Sequence, residues 1–210
     1  MSKLEEMISE LCPDGVEFKA LEEICKKISS GGTPNTRNVD YWNGNIPWLR
    51  TQEVDFCEIT DTDLKITEEG LKNSSAKWIP ANCVIIAMYG ATVGKVAINK
   101  IPLTTNQACC NLEVDENIAD HKFVFYCLEN QYEYIKSLGQ GTQTNINAQI
   151  VKNLQIPVPP VKIQAEIIRM LDTFTNLISE LDNELILRKK QYQFYRDKLL
   201  TFSEIKKESR

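Results

Sequence analysis

From Val161 to Arg210 the chain contains neither glycine nor proline. Apolar residues recur through this stretch at Ile167, Leu171, Phe174, Ile178, Leu181, Leu185, Tyr192, Tyr195, Leu199 and Phe202, with Arg188 holding one place in the stripe. The steps alternate between four and three, which is heptad spacing. A helix of about 40 residues is roughly 60 Å long at about 1.5 Å per residue, against about 11–12 residues for an average helix. Two prolines, Pro159 and Pro160, precede it. Proline is tolerated in a first helical turn, and Glu166 suits the positive end of a helix. The expected organisation is therefore a domain over 1–160 followed by a long coiled-coil spacer or dimerisation helix over 161–210. Such an extension holds something at a distance.

The first part reads as an α+β domain with mixed strands and short helices. Leu4 to Leu11 form a short helix that stops at the turn Pro13-Asp14-Gly15. Ser29 to Asn35 is a glycine-containing loop, and Asn43-Gly44 with Pro47 brackets a second turn. Thr67 caps one helical turn. The apolar run Cys83 to Tyr89 is a buried strand, and Val96 to Ile98 and Ala108 to Val114 are further strands. Asp120 caps a helix that runs to Leu138 and ends at Gly139.

Charge limits what the chain can bind. The net charge is −5 over 210 residues, which argues against wrapping nucleic acid by bulk electrostatics. The distribution is uneven. Up to Pro160, 14 basic and 21 acidic residues leave −7; beyond it, 10 basic and 8 acidic leave +2. Contact with DNA would need a local face or help from a partner.

No apolar run approaches the roughly 20 residues that span a bilayer. The start, Met1 to Glu6, lacks the pattern of a signal peptide. A cytoplasmic protein without membrane association is the expectation. Seven cysteines, none in Cys-x-x-Cys spacing, fit reduced and mostly buried thiols better than disulfides or zinc. One histidine, His121, further weakens any metal site or histidine-based catalysis. Neither a Gly-x-Gly-x-x-Gly loop nor an adenine-methyltransferase motif is present. Gly90 to Val96 evokes a phosphate loop, but has three residues between its glycines and Val96 after Lys95. A phosphate loop needs four residues there, then Ser or Thr after the lysine. A tight turn between strands is the expected structure. Asp63-Leu64-Lys65 has the Asp-x-Lys spacing of many nucleases but no Pro-Asp upstream, and reads as a charged turn. A non-enzymatic chain without metal or cofactor is expected.

Several segments resemble a known family in its own order. They are Leu11 to Phe18, Ser30 to Pro34 followed by Tyr41-Trp42 and Gly44 to Trp48, Met88 to Lys95, Thr105 to Ala108, and Ile156 to Pro160 with Gln164 and Ile168. Together they resemble the specificity subunit of type I restriction-modification systems. A full subunit of that family has two such patterns in tandem, whereas this chain has one. It therefore resembles a half-length form with one target-recognition domain. The resemblance implies that the chain reads a split double-stranded DNA target and docks modification (methyltransferase) subunits, with a restriction subunit as a further partner. S-adenosylmethionine and adenine flipping belong, on this resemblance, to the modification subunit.

The DNA-facing candidates follow from residue chemistry within those segments. Gly32 and Thr33 lie in a loop whose backbone N–H groups suit a phosphate, or are a plain loop. Arg37, Arg50 and Gln52 are types that read guanine or adenine edges, if they face DNA. Tyr41, like Trp42, Trp48 and Trp78, suits packing as well as base stacking. Tyr89, Thr92 and Lys95 at the glycine turn suit the DNA backbone, or form a structural turn with a solvated lysine. Asn106, Gln107, Gln143 and Asn145 carry amides that reach DNA or satisfy local backbone groups.

The helix carries partner information of its own. Apolar residues off the seam, among them Ile168, Leu177, Ile186, Leu187 and Phe194, exceed what one partner helix covers. Acidic residues gather early (Asp172 to Glu184) and basic ones late (Arg188 to Lys207). An antiparallel homodimer matches the two halves, and a parallel pair also matches Glu184 with Lys189. The rival readings are a coiled-coil assembly protein without DNA readout and an enzyme using Lys95 in a degenerate nucleotide loop.

Overall fold

A computed structural model of the chain describes residues 3–139 and 145–202. Gln143 and the last residues of the sequence lie outside them. Two compact units divide the chain, Met1–Ile167 and Ile168–Arg210.

In the first unit, helix α1 (Lys3–Leu11) precedes strand β1 (Phe18–Ala20), α2 (Leu21–Ile24), β2 (Cys25–Ser30) and β3 (Trp42–Leu49). Then come β4 (Cys57–Ile59), β5 (Leu64–Ile66), α3 (Glu68–Lys72), β6 (Trp78–Ile79), β7 (Val84–Ala87) and β8 (Val96–Asn99). Strands β9 (Leu103–Thr105) and β10 (Cys109–Val114) lead to helices α4 (His121–Asn130), α5 (Tyr132–Ser137) and α6 (Ala148–Lys152), and to β11 (Gln155–Pro157). The architecture is α+β. A five-stranded sheet runs β2-β10-β7-β8-β4, a four-stranded sheet runs β5-β3-β9-β6, and β1 pairs with β11.

Period-two alternation builds the core between these layers. On β7, Val84 and Ile86 join Val96, Ile98, Leu112, Val124 and Leu128 against the helices. Ile85 and Ala87 point the other way, onto Leu49, Ile79 and Leu103 of the second sheet. The five-stranded sheet is thus buried on both faces, which explains the uninterrupted apolar run of β7. A third cluster, Ile46, Trp48, Ile66 and Ala76 with Leu71 of α3, covers the outer face of the four-stranded sheet. The glycine turn is a β7–β8 connection, with Gly90 and Gly94 at φ +87° and +83°. Strand follows strand there, and no helix opens after it as a phosphate loop requires.

Two local expectations are corrected. Asn43-Gly44 and Pro47 do not bracket a turn; they lie inside β3. Ile66 pairs with both Trp42 and Ile46, and Asn43 has φ +60°, so the Asn-Gly pair forms a bulge. Pro47 is tolerated because the parallel pairing with β9 starts only at Trp48. The helix capped by Asp120 is also interrupted. Asp120 accepts the Lys122 N–H at 2.7 Å as expected, but Gln131 breaks the run into α4 and α5 and donates to the Gln155 carbonyl at 2.9 Å. Thr67 caps α3 through the Gly70 N–H at 3.0 Å. All seven cysteines are free thiols. Burial pushes those of Cys25, Cys83, Cys110 and Cys127 up to about 12.

The long helix α7 (Val161–Leu200) begins directly after Pro160, whose carbonyl accepts the Ile163 and Gln164 N–H groups. Gln164 is wholly buried and every side-chain atom that can bond does so. Oε1 accepts the Asp120 N–H at 2.9 Å, and Nε2 donates to the carbonyls of Ile118 at 3.1 Å and Pro159 at 2.8 Å. One amide thereby fastens the helix start to the cap of α4. Gln164→Ala leaves three buried or half-buried backbone groups without this partner, and is expected to destabilise the protein by about 2–4 kcal/mol. Thermal unfolding measures it; an unchanged midpoint would show that the amide is not a fastener.

In the second unit, residues 173–202 are exposed. Phe174, Ile178, Leu181, Leu185, Tyr192, Tyr195 and Leu199 are each at least half exposed. Ile167 differs: it is half-buried within the first unit. The open stripe therefore starts at Phe174.

Candidate functional site

Strand direction brings four loops to one end of the two sheets. Ser30, at the end of β2, is opposite Cys110, and Ala87, at the end of β7, is opposite Cys109 at the start of β10. Leu49, at the end of β3, is beside Thr105 at the end of β9. The segments after β2, β3, β7 and β9 consequently emerge together. Residue 145 joins them, because the Ile146 N–H donates to the Met88 carbonyl at 3.0 Å.

Hydrogen bonds stitch these loops into one surface. Thr33 Oγ1 donates to Gln107 Oε1 at 2.5 Å. The Asn106 N–H donates to the Leu49 carbonyl at 2.9 Å, and Asn106 Oδ1 accepts the Ala108 N–H at 3.1 Å. Thr92 Oγ1 donates to the Thr51 carbonyl at 2.6 Å. Gln52, Tyr89 and Gln107 are exposed on this surface, and Thr33, Arg50, Thr92, Asn106 and Asn145 are half-buried in it. The loops are held by backbone bonds, so these side chains project from a fixed frame.

Several candidates have partners within the chain. Gly32 is buried, and its N–H donates to the Thr105 carbonyl at 2.9 Å while its carbonyl accepts the Trp48 indole N–H at 2.8 Å. A side chain at Gly32 would meet Ser75 and Ala76. The close approach that glycine permits here is to the protein's own backbone, and the Gly32 N–H is already used within the chain. Lys95 is not solvated on its own: Nζ lies 2.5 Å from Asp55 and 5.8 Å from the centre of the Phe56 ring. The Asp55 hydrogen bond holds its ammonium above the usual lysine range. Trp42 and Trp48 pack edge to face at 5.0 Å, the packing role.

Two candidates sit apart. Tyr41 precedes β3, at the strand end opposite Arg50, and its carbonyl accepts the Thr67 N–H at the start of α3. Arg37 is exposed in the connection between β2 and β3, and its guanidinium makes no ion pair among the described residues. Gln143 falls outside the described residues.

Arg50 brings in residues the sequence did not nominate. Its Nη2 lies 3.4 Å from Asp63 Oδ2, and its Nε lies 3.7 Å from Glu53 Oε1. Glu53 follows Arg50 by three positions and accepts the Arg50 N–H at 3.1 Å, although Arg50 is not the Ser or Thr that marks a capping box in sequence. Asp63 belongs to the Asp-x-Lys triplet, but Lys65 turns to Asp61 at 3.2 Å, so the triplet is two separate surface pairs. With Arg50 and Lys95 both matched by carboxylates, the loop surface is polar and aromatic rather than strongly basic. No group of three or more metal-ligating side chains occurs among the described residues, and none of their helices is long and apolar enough to cross a membrane.

A family model described as Type I restriction modification DNA specificity domain matches residues 13–188. The chain is 36% identical over 199 residues to the type I restriction enzyme EcoR124I/EcoR124II specificity subunit of Escherichia coli, covering 89% of this chain and 48% of that protein. It is 34% identical over 211 residues to the EcoprrI specificity subunit, also of Escherichia coli, covering 91% and 52%. Among solved structures, a chain of a type I R-M system superposes with a TM-score of 0.68 at 18% identity, covering 91% of this chain and 48% of that one. The HsdS subunit from Thermoanaerobacter tengcongensis superposes with a TM-score of 0.62 at 19% identity, covering 86% and 44%. These likenesses show a shared fold. The chain spans about half the length of the curated relatives it matches.

Proposed function

We propose a function from one premise: this chain belongs to the type I restriction modification DNA specificity domain family. Its role is to read the sequence of double-stranded DNA inside a restriction-modification complex in the cytoplasm. The observation that carries the reading is the convergence of four loops at one end of the two sheets, presenting Gln52, Tyr89, Asn106 and Gln107 with Arg50. Amide and guanidinium side chains are the types that read base edges in the major groove, and rigid presentation fixes which base pair each one meets. The chain is non-catalytic. Methyl transfer belongs to a modification subunit that carries S-adenosylmethionine, and cleavage to a restriction subunit where one is present. The relatives named above are called specificity subunits, which supports this division of labour.

The helix Val161–Leu200 serves partners. Its exposed stripe from Phe174 to Leu199 pairs with the same stripe of a second copy, antiparallel, and the off-seam residues Leu177, Ile186, Leu187 and Phe194 remain for the modification subunit. Two copies then supply two readers for a split target.

DNA affinity should depend on the complex. The first 160 residues carry −7, and Arg50 and Lys95 are already matched by carboxylates, so little counterion release is available. The isolated chain is expected to bind duplexes weakly and without preference at physiological salt, and sequence-selective binding to appear on adding the modification subunit. Titration of labelled duplexes with each preparation decides it. A complex that binds all duplexes equally would favour the assembly role without readout.

A further inference from the structure

Arg50 emerges from β3 with its guanidinium only partly engaged. Nε is buried without a hydrogen-bond partner, and the 3.7 Å to Glu53 Oε1 is too long for a bond. Nη2 makes one long contact, 3.4 Å, to Asp63, whose side chain is 72% exposed. A guanidinium carries five donors in a rigid fork. Here one donor is stranded and another leans on a carboxylate that water already solvates.

Glu53 plays a different part. Its Oε1 accepts the Arg50 N–H at 3.1 Å, and its Oε2 accepts the Asp63 N–H at 2.9 Å. Its side chain is only 13% exposed. One shielded carboxylate thus ties together the backbones of Arg50 and Asp63, 13 residues apart in sequence. The ties fix where the arginine leaves β3 and set Asp63 opposite it.

We propose that Glu53 is a positioning residue for Arg50, and that Asp63 is a displaceable counter-ion whose place is taken by the acceptor edge of a guanine. This inference rests on the loop surface being the DNA-reading face. An exposed ion pair is weak, so it yields readily to a better acceptor. A guanine offers O6 and N7 side by side, matching the fork. A phosphate would approach Arg50 on any sequence, but Asp63 repels it from the same side. The pair therefore disfavours sequence-independent contact and leaves the matched base edge as the acceptor that compensates for losing Asp63.

The test uses the complex with the modification subunit, and compares its methylated target duplex with duplexes changed at single base pairs. Asp63→Asn removes the repulsion. Binding to mismatched duplexes should strengthen roughly two- to fivefold, the range of one exposed ion pair, while target binding changes less. Glu53→Gln sets an amide N–H against a backbone N–H, and should cut discrimination about tenfold at one base pair only. Glu53→Asp keeps the charge but cannot span both bonds, and should fall between. In an Arg50→Ala background neither change should alter discrimination further. A merely structural Glu53 would instead weaken all duplexes equally. That uniform loss, or a selective wild-type complex whose Asp63→Asn form discriminates unchanged, overturns the inference alone. A wild-type complex that selects no duplex overturns the DNA-reading role and this inference with it.

Discussion

The double variant Ile178→Asp with Leu181→Asp is expected to be monomeric where the unaltered chain dimerises at tens of micromolar. Ile178 and Leu181 are 60% and 64% exposed, and lie consecutively on the heptad stripe. Each large apolar side chain buried in a seam contributes about 1.5–3 kcal/mol. Two positions on each of two copies therefore account for on the order of 6–12 kcal/mol before ordering costs. The four introduced carboxylates would also lose hydration and repel one another if the seam still closed. The helix should survive the change, because neither substituted residue takes part in its ion pairs Arg188–Glu184 and Arg196–Asp197. Sedimentation velocity reads the outcome. A monomeric parent, or a double variant that still dimerises, would refute the seam.

The second large effect concerns spacing. Two identical readers related by a two-fold axis require a target with matching symmetry. It should consist of two inverted copies of one short half-site around an unread spacer. Deleting seven residues within 173–199 removes about 10 Å of helix and keeps the heptad register. B-DNA turns once every 10–10.5 base pairs, so a changed separation also changes the face that each half-site presents. The deletion is expected to shorten the preferred spacer, or to abolish methylation if the new phase is unusable. Methylation of the original motif with its original spacer would show that the helix does not set the distance.

What could be read from the sequence follows how local each signal was. The long helix was marked by a pattern needing no other part of the chain, and it begins at Val161, directly after the Pro159-Pro160 pair. The caps at Thr67 and Asp120 were equally local, and both form. The buried strand around Ile85 and Ile86 followed from its apolar run. Asn43-Gly44 misled because a bulge and a turn ask for the same backbone conformation; only the pairing of Ile66 with both Trp42 and Ile46 distinguishes them. Strands of two or three residues, such as β4, β6 and β9, carried too little pattern to mark.

The candidate site was legible as residue types and not as a place. Thr33 and Gln107 are 74 positions apart, and the parallel pairing of Leu49 with Thr105 brings Arg50 to Asn106. Neither relation leaves a trace in local sequence. Internal partners were also hidden. Gly32 gives its N–H to Thr105, and Lys95 is matched by Asp55, so two residues chosen for phosphate contact already serve the fold. Glu53 was not marked, because Arg50 is not the Ser or Thr that opens a capping box, and its bonds to the Arg50 and Asp63 N–H groups appear only in the fold.

Methylation mapping of host DNA, with the modification subunit present and with or without this chain, tests the central claim most directly. One split, inverted-repeat motif should be methylated only when the chain is present, and its recognised bases should change or relax in Arg50→Ala. Identical methylation with and without the chain would contradict the claim that it is the sequence reader.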